Sequence, residues 1–397
     1  MKNVHTALIL LLLLVLATGC NLAEDDEHKL VTDTSQDMDI SNYNLAFYDE
    51  QTGWLYGQNG TELHKFNLLK TSNKGKDWVN AMPMGEDFHF AHSEGDVLHH
   101  TNVFFLSSEV FWIIQSTPNE ITVFKTSDGG QSWENGETWN PKTAGLLTDI
   151  YFVNETKGWL MIDVKQGADY VLRECYITED GGSHWELISS YQDHSFPSDH
   201  LQASSVFIDN QTGFIPVINT EQPMFYQTVN GGADWSKVEL PYPANDSNMR
   251  FNIESIRFFD TDTGIVLLST VKSDNIMKYD YYVTKDKGVT WTLHEGVQIK
   301  RASQDSNIGS KIVTPNYAWT IDDRVLYRYN ILSSEQFKTI QIKNITGNDD
   351  PGQKITGYSF VDESVGWVIV YDNGKSTIYK TVDSGDEWTD FQIKFAS

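Results

Sequence analysis

Cysteine is nearly absent from this 397-residue chain: only Cys20 and Cys175 occur, so no disulfide framework can hold it together. Proline is scarce at 10 residues, and basic charge is outweighed, with 29 Lys and Arg against 55 Asp and Glu and a net charge of −26. That balance argues against a nucleic-acid binder, whose surface needs a basic surplus. Only six arginines are present: Arg173, Arg250, Arg257, Arg301, Arg324 and Arg328. No Gly-rich loop follows a strand and opens a helix, so no nucleotide or other cofactor is expected. Long apolar runs are missing too, with one exception at the N-terminus. What the chain does have is 40% hydrophobic residues, 13% aromatics with 12 Trp, and 28 Gly. This is the balance of strands and turns around a large core.

The exception is Leu8 to Ala17, ten apolar residues behind Lys2, too short to span a bilayer and suited to a signal-peptide core. It ends in Ala17-Thr18-Gly19-Cys20, which resembles the lipobox of bacterial lipoproteins, although Leu is commoner than Ala three places before the Cys. The resemblance implies cleavage before Cys20 and lipidation of its thiol, and a place in the bacterial cell envelope facing out of the cytoplasm. Residues 1–19 are then a signal peptide, and 20–40 are the lipidated Cys and an acidic tether. Cys175, in a strand-like segment, reads as a buried inert thiol.

Two repeating signals occupy the rest. One is Thr-x-(Asp/Asn)-x-Gly-x-x-Trp, starting at Thr71, Thr126, Thr178, Thr228, Thr284 and Thr381. The last gap is nearly twice the others, and Asn330 to Phe337 fills it as a decayed copy. The other is Phe-x-(Asp/Asn)-x-x-x-Gly-Trp, clear at Phe47 to Trp54, Phe152 to Trp159 and Phe360 to Trp367. Weaker copies start at Phe105, Phe207, Phe258 and Ile312, making seven. Together the signals absorb every Trp except Trp139. A period near 50 residues marks a repeat architecture. Each unit reads as four strands, with the Thr string closing the last hairpin: its acid accepts turn N–H groups, its Gly supplies a positive φ, and its Trp covers the turn. Seven such units over 41–397 predict an all-β, seven-bladed β-propeller of four-stranded blades. A β-solenoid would have shorter rungs.

The Thr string resembles the Asp-box, or bacterial neuraminidase repeat. Both strings together look like the propeller family of photosystem II assembly and stability factors. That resemblance implies a non-enzymatic, often lipid-anchored protein that binds a protein partner through a patch of arginines. Six arginines make such a patch sparse here. Asp-boxes also occur in sialidases and glucan hydrolases, so an extracytoplasmic glycan binder or glycoside hydrolase is the alternative. Against it, no sialidase-like Arg-Ile-Pro string occurs, and no carboxylate pair stands out among 55 acids. No catalytic residue is assigned. His89, His92, His99 and His100, with Glu94 and Asp96, have the chemistry of zinc ligands, but their spacing equally suits a solvated loop, and no metal site is assigned.

In a propeller both motif turns lie on one face. The opposite face carries the variable connections, here 79–101, 134–146, 186–203, 236–252 and 292–309. Arg250, Arg301 and Arg324 fall on that loop face and are the candidate contacts for a protein or peptide partner. One expectation concerns the anchor directly: Cys20→Ser should release the protein from membranes or block its processing. Detergent-phase partitioning of parent and variant reads this out, and unchanged partitioning would contradict it.

Overall fold

The computed structural model describes residues 40–58, 65–85, 88, 92–94, 97–136, 138–166, 171–198, 205–218, 220–243, 249–273, 276–300, 308–391 and 394–396. The expected signal peptide, Cys20, residues 21–39 of the expected tether and Arg301 lie outside them, whereas Ile40, placed at the end of that tether, is fully buried in the core of blades 7 and 1. The described residues form a seven-bladed β-propeller, each blade a four-stranded antiparallel meander. Blade 3 is representative, with strands Leu146–Phe152, Gly158–Gln166, Val171–Thr178 and Glu186–Ser190. The first strands of blades 1 and 7, Tyr43–Phe47 and Lys354–Phe360, lie against one another and close the ring. A further strand, Lys394–Ala396, runs parallel to Asp77–Asn80 on the edge of blade 1. This strand is thus hydrogen-bonded to the first blade and covers a sheet edge.

The Thr strings fold as the residue chemistry predicts. In blade 2 the Asp128 carboxylate accepts from the backbone N–H groups of Gln131 and Ser132 at 3.0 and 2.9 Å and from the Thr126 hydroxyl at 2.9 Å. The Gly at position five has a positive φ, 100° at Gly182 for example. Position four is left-handed as well, and Lys74, Lys287 and Ser384 accept that conformation there without being glycine. The string's Trp folds back over its own turn: Trp78, Trp185 and Trp291 donate Nε1–H to the carbonyls of Gly75, Gly182 and Gly288 at 2.9–3.0 Å. The decayed copy differs. Blade 6 turns between Asn330 and Ser333, too tightly for an eight-residue turn, and Phe337 continues the fourth strand opposite Tyr329.

The second string joins neighbouring blades. Its acid caps the first turn, as Asp49 does by accepting from Gln51 and Thr52 N–H at 2.7 Å each. The weaker copies keep this cap with a hydroxyl, Ser107 in blade 2 and Thr314 in blade 6. The Gly lies against the ring of its own Phe; a Cβ on Gly158 would come within 2.4 Å of Phe152. The Trp stacks on the Phe of the next blade. Trp112 lies on Phe152 at 3.8 Å, Trp159 on Phe207 at 3.7 Å, Trp319 on Phe360 at 3.8 Å and Trp367 on Phe47 at 3.5 Å, all within 9° of parallel. Trp112 and Trp159 also donate Nε1–H to Gly181 and Gly231 in the next blade's Thr turn, at 2.9 and 2.8 Å. Trp367 likewise donates to Lys74 O in blade 1 at 3.0 Å, so the two strings meet across these three interfaces. Cys175 is buried, and burial pushes its thiol up to about 12.

Two outcomes follow. Truncating a buried aromatic costs about 3–5 kcal/mol, so Trp159→Ala should lose that much in chemical denaturation, with Trp185→Ala showing a loss of the same kind. A parent-like midpoint for both would break the interface account. Hydrogen bonds from Ser132 chiefly hold the Asp128 carboxyl down at about 2. Its contribution to stability is present above the ordinary Asp range and is lost as pH falls through about 2. Asp128→Ala should flatten that acid limb of the melting-temperature profile.

Candidate binding surfaces

The loop face carries two of the candidate arginines. Arg324 sits in the tight turn between the second and third strands of blade 6, Tyr317–Asp322 and Val325–Asn330. Its Nη2 pairs with Asp349 at 2.5 Å, and its Nη1 donates to the Gln353 carbonyl at 3.0 Å. It thereby ties that turn to the connection leading into blade 7, which includes a short helix, Ile342–Thr346. Arg250 precedes the first strand of blade 5, Phe251–Phe258, and pairs loosely with Glu221 at 3.4 Å. Both are exposed enough to meet a partner, but each is held by a local acid, and among the described residues no hydrogen bond or ion pair joins them. The connection expected over 292–309 is mostly strand, Thr292–Lys300 and Ile308–Ile312. Buried apolar residues such as Val297 and Ile299 extend the periodicity there.

The other arginines serve different ends. Arg173, fully buried in blade 3, is clamped by Asp163 through Nε at 2.5 Å and Nη2 at 3.2 Å. Arg328 lies over Tyr317 in blade 6. His89 and Asp96 lie outside the described residues. The backbones of His92 and His99 pair across a small hairpin, His92–Glu94 with Val97–Phe105. Burial lowers the pKa of the half-buried His100. Among the described residues no three metal-ligating side chains cluster.

At the ring's axis, one position recurs in every first strand, immediately before the motif's aromatic. Each residue there pairs with the Trp position of its second strand, and the set is Ala46, Phe104, Tyr151, Val206, Arg257, Lys311 and Ser359. All face the next blade. Tyr151 packs against Phe104 at 5.2 Å, Ser359 Oγ accepts from Phe47 N–H at 2.9 Å, Arg257 Nη1 donates to Ile312 O at 2.5 Å, and Lys311 Nζ donates to Tyr358 O at 3.3 Å. This layer lies next to the first turns, at the axis-side mouth on the motif-turn face. Arg257 and Lys311 were not singled out from the sequence, because they appear there as ordinary strand residues. Their shared register position was the available signal.

Two carboxylates also lie on first strands. Asp149 accepts from Ser205 N–H, and burial raises its pKa against the opposing pull of the Ser205 hydrogen bonds and of Arg173. Glu254 accepts from the Ser269 hydroxyl and is likewise raised by burial. They belong to blades 3 and 5 and are each engaged separately.

The class is therefore a closed seven-bladed propeller with an exposed loop face and a partly cationic axial mouth. Among solved structures it is similar to YCF48 bound to D1 peptide, at 14% identity and a TM-score of 0.50, covering 86% of this chain and 92% of that one. A prolyl endopeptidase aligns at 10% identity and 0.48, over 89% of this chain and 50% of that one. An ulvan lyase bound to a GlcA–Rha3S saccharide aligns at 7% and 0.44, over 72% and 81%. At these identities the likeness is one of fold. No protein-family model matches the chain, and no curated protein matches it.

Because Asp149 is raised by burial, its ionised form costs stability once pH rises through its folded pKa, while below the ordinary carboxylate range the cost vanishes. Asp149→Asn, which keeps an acceptor for Ser205, should therefore melt above the parent at pH 8. The two curves should converge on acidification. A variant melting below the parent at pH 8 would show that the hydrogen bonds from Ser205, with the attraction to Arg173, outweigh burial.

Proposed function

We propose that this chain is a non-enzymatic binding propeller of the Asp-box type, held outside a bacterial cytoplasmic membrane by a lipid on Cys20. On this reading its loop face recognises a protein or peptide, as an assembly or quality-control factor does. The supporting observation is the distribution of charged side chains. Arg173, Arg250, Arg324 and Arg328 have separate partners and form no carboxylate-binding triad, and the two first-strand carboxylates are each engaged in a different blade. Glycoside hydrolysis needs a positioned pair of carboxyl groups. A rigid ring bearing varied loops suits recognition instead, and YCF48, alike in fold, has been captured with a peptide.

Arg250, Arg301 and Arg324 are the contacts proposed for carboxylates of the partner. Losing a well-desolvated charge pair typically costs about 2–5 kcal/mol, and a rim charge far less. The experiment is crosslinking in cells. A triple Ala variant at these arginines that melts like the parent should lose the crosslinked partner. A variant with Ala at Glu50, Glu109 and Glu155, on exposed first turns of the opposite face, should keep it. The reverse pattern would reject the loop face.

A further inference from the structure

Two cations share the axial mouth, Arg257 and Lys311. Elsewhere several basic side chains are neutralised by acidic neighbours. Lys70, Lys125, Lys157 and Lys338 pair with Glu109, Glu155, Glu179 and Asp386 at 2.6–3.7 Å. Arg257 and Lys311 make no ion pair among the described residues. They occupy equivalent positions in successive blades, opposite Ile265 and Trp319 of their own second strands. The bond from Arg257 Nη1 to the Ile312 carbonyl places the guanidinium beside the backbone of Lys311's own strand. Two like charges are thus held side by side, each braced on a carbonyl of the next blade.

Both side chains touch solvent, yet protein surrounds them closely. Desolvation lowers the pKa of each, and Arg257 lowers that of Lys311 further. Arg257 Nη1 is engaged, whereas Nε and Nη2 make no hydrogen bond with the described residues, leaving a fork for a planar anion. Around the same layer, blades 2 to 4 present Phe104, Tyr151 and Val206. In a ring of seven, blade 2 stands opposite the junction of blades 5 and 6. An apolar, largely aromatic arc therefore faces a cationic one.

We propose that Arg257 and Lys311 form a carboxylate-binding site at the axial mouth on the motif-turn face, taking a carboxylate carried on an apolar or aromatic body. A single carboxylate suits the site better than a polyanion, because the protein's net charge of −26 repels extended negative charge. Such a carboxylate comes either from a small molecule or from an acidic side chain of a peptide. The site is separate from the loop face and stands or falls independently of it.

The test is calorimetric titration of the full-length protein at constant ionic strength with four probes. Benzoate is set against its neutral counterpart benzamide, and acetyl-Gly-Glu-Gly-amide against acetyl-Gly-Gln-Gly-amide. Saturable binding is expected for at least one carboxylate probe and for neither neutral one. It should weaken at least tenfold in Arg257→Gln and in Lys311→Gln, and stay unchanged in the triple Ala variant of Arg250, Arg301 and Arg324. Melting curves verify folding; should Arg257→Gln fail to fold without its bond to Ile312, the exposed Lys311→Gln carries the test. Benzoate alone binding identifies a small-molecule ligand, and the Glu peptide alone a side chain. No saturable binding of either, or binding that survives at parent strength in the folded variants, overturns the site.

Discussion

The ring is held by one repeated contact, the motif aromatic of one blade packed on that of the next, with an indole laid flat on a phenyl ring at four of the seven junctions. The Phe is shared between two Trp residues: at Phe47, Trp367 stacks on its face at 3.5 Å and Trp78 meets it edge-on at 6.1 Å. Aromatic pairs of this kind contribute about 0.5–1.5 kcal/mol beyond the area they bury. Their further effect is geometric. A flat stack, combined with an indole N–H bonded to the neighbouring turn, fixes the spacing and rotation between blades. The glycines before Trp54, Trp159 and Trp367 are required because the Phe ring occupies the space a side chain would need. Where blade 5 meets blade 6, Ile265 and Ile312 replace the aromatic pair, and a wider core including Tyr279, Tyr281 and Tyr329 fills the interface.

Once the ring closes, function is left to what it exposes. The motif turns use their polar side chains on themselves, so the acids of the Thr strings serve as turn acceptors. The loop face has room for sequence variation, and its arginines are restrained by nearby acids. At the axis, seven equivalent positions converge from distant parts of the chain, and small changes there alter one shared mouth. Ala46 and Ser359 make it small and neutral on one side, Phe104 and Tyr151 aromatic on another, and Arg257 with Lys311 cationic on a third.

Blade count, strand count and turn chemistry are legible in the amino-acid sequence, because each depends on residues close together along the chain. Thr126, Asp128, Gly130 and Trp133 lie within eight residues, and their hydrogen bonds are local. The weaker first-turn copies at Phe105 and Ile312 are legible by spacing alone, and Ser107 and Thr314 show why their chemistry suffices. The decayed string near Asn330 misleads, because spacing cannot distinguish a lost motif from a shorter turn. The final strand beside Asp77–Asn80 is also hidden. Its partner is more than 300 residues away, and three paired residues leave no periodic signature.

The sequence by itself determined the repeat, its fold and the self-bonded turns, since those are carried by short-range patterns repeated six or seven times. Only the tertiary structure decided which residues share a surface. It put Arg250 with Glu221 and Arg324 with Asp349, and it brought Lys311 beside Arg257 across 54 positions of chain. The physical reason is ring closure. Strand periodicity says which way a side chain points within its own blade, but the neighbour it meets depends on how the next blade is rotated and packed against it.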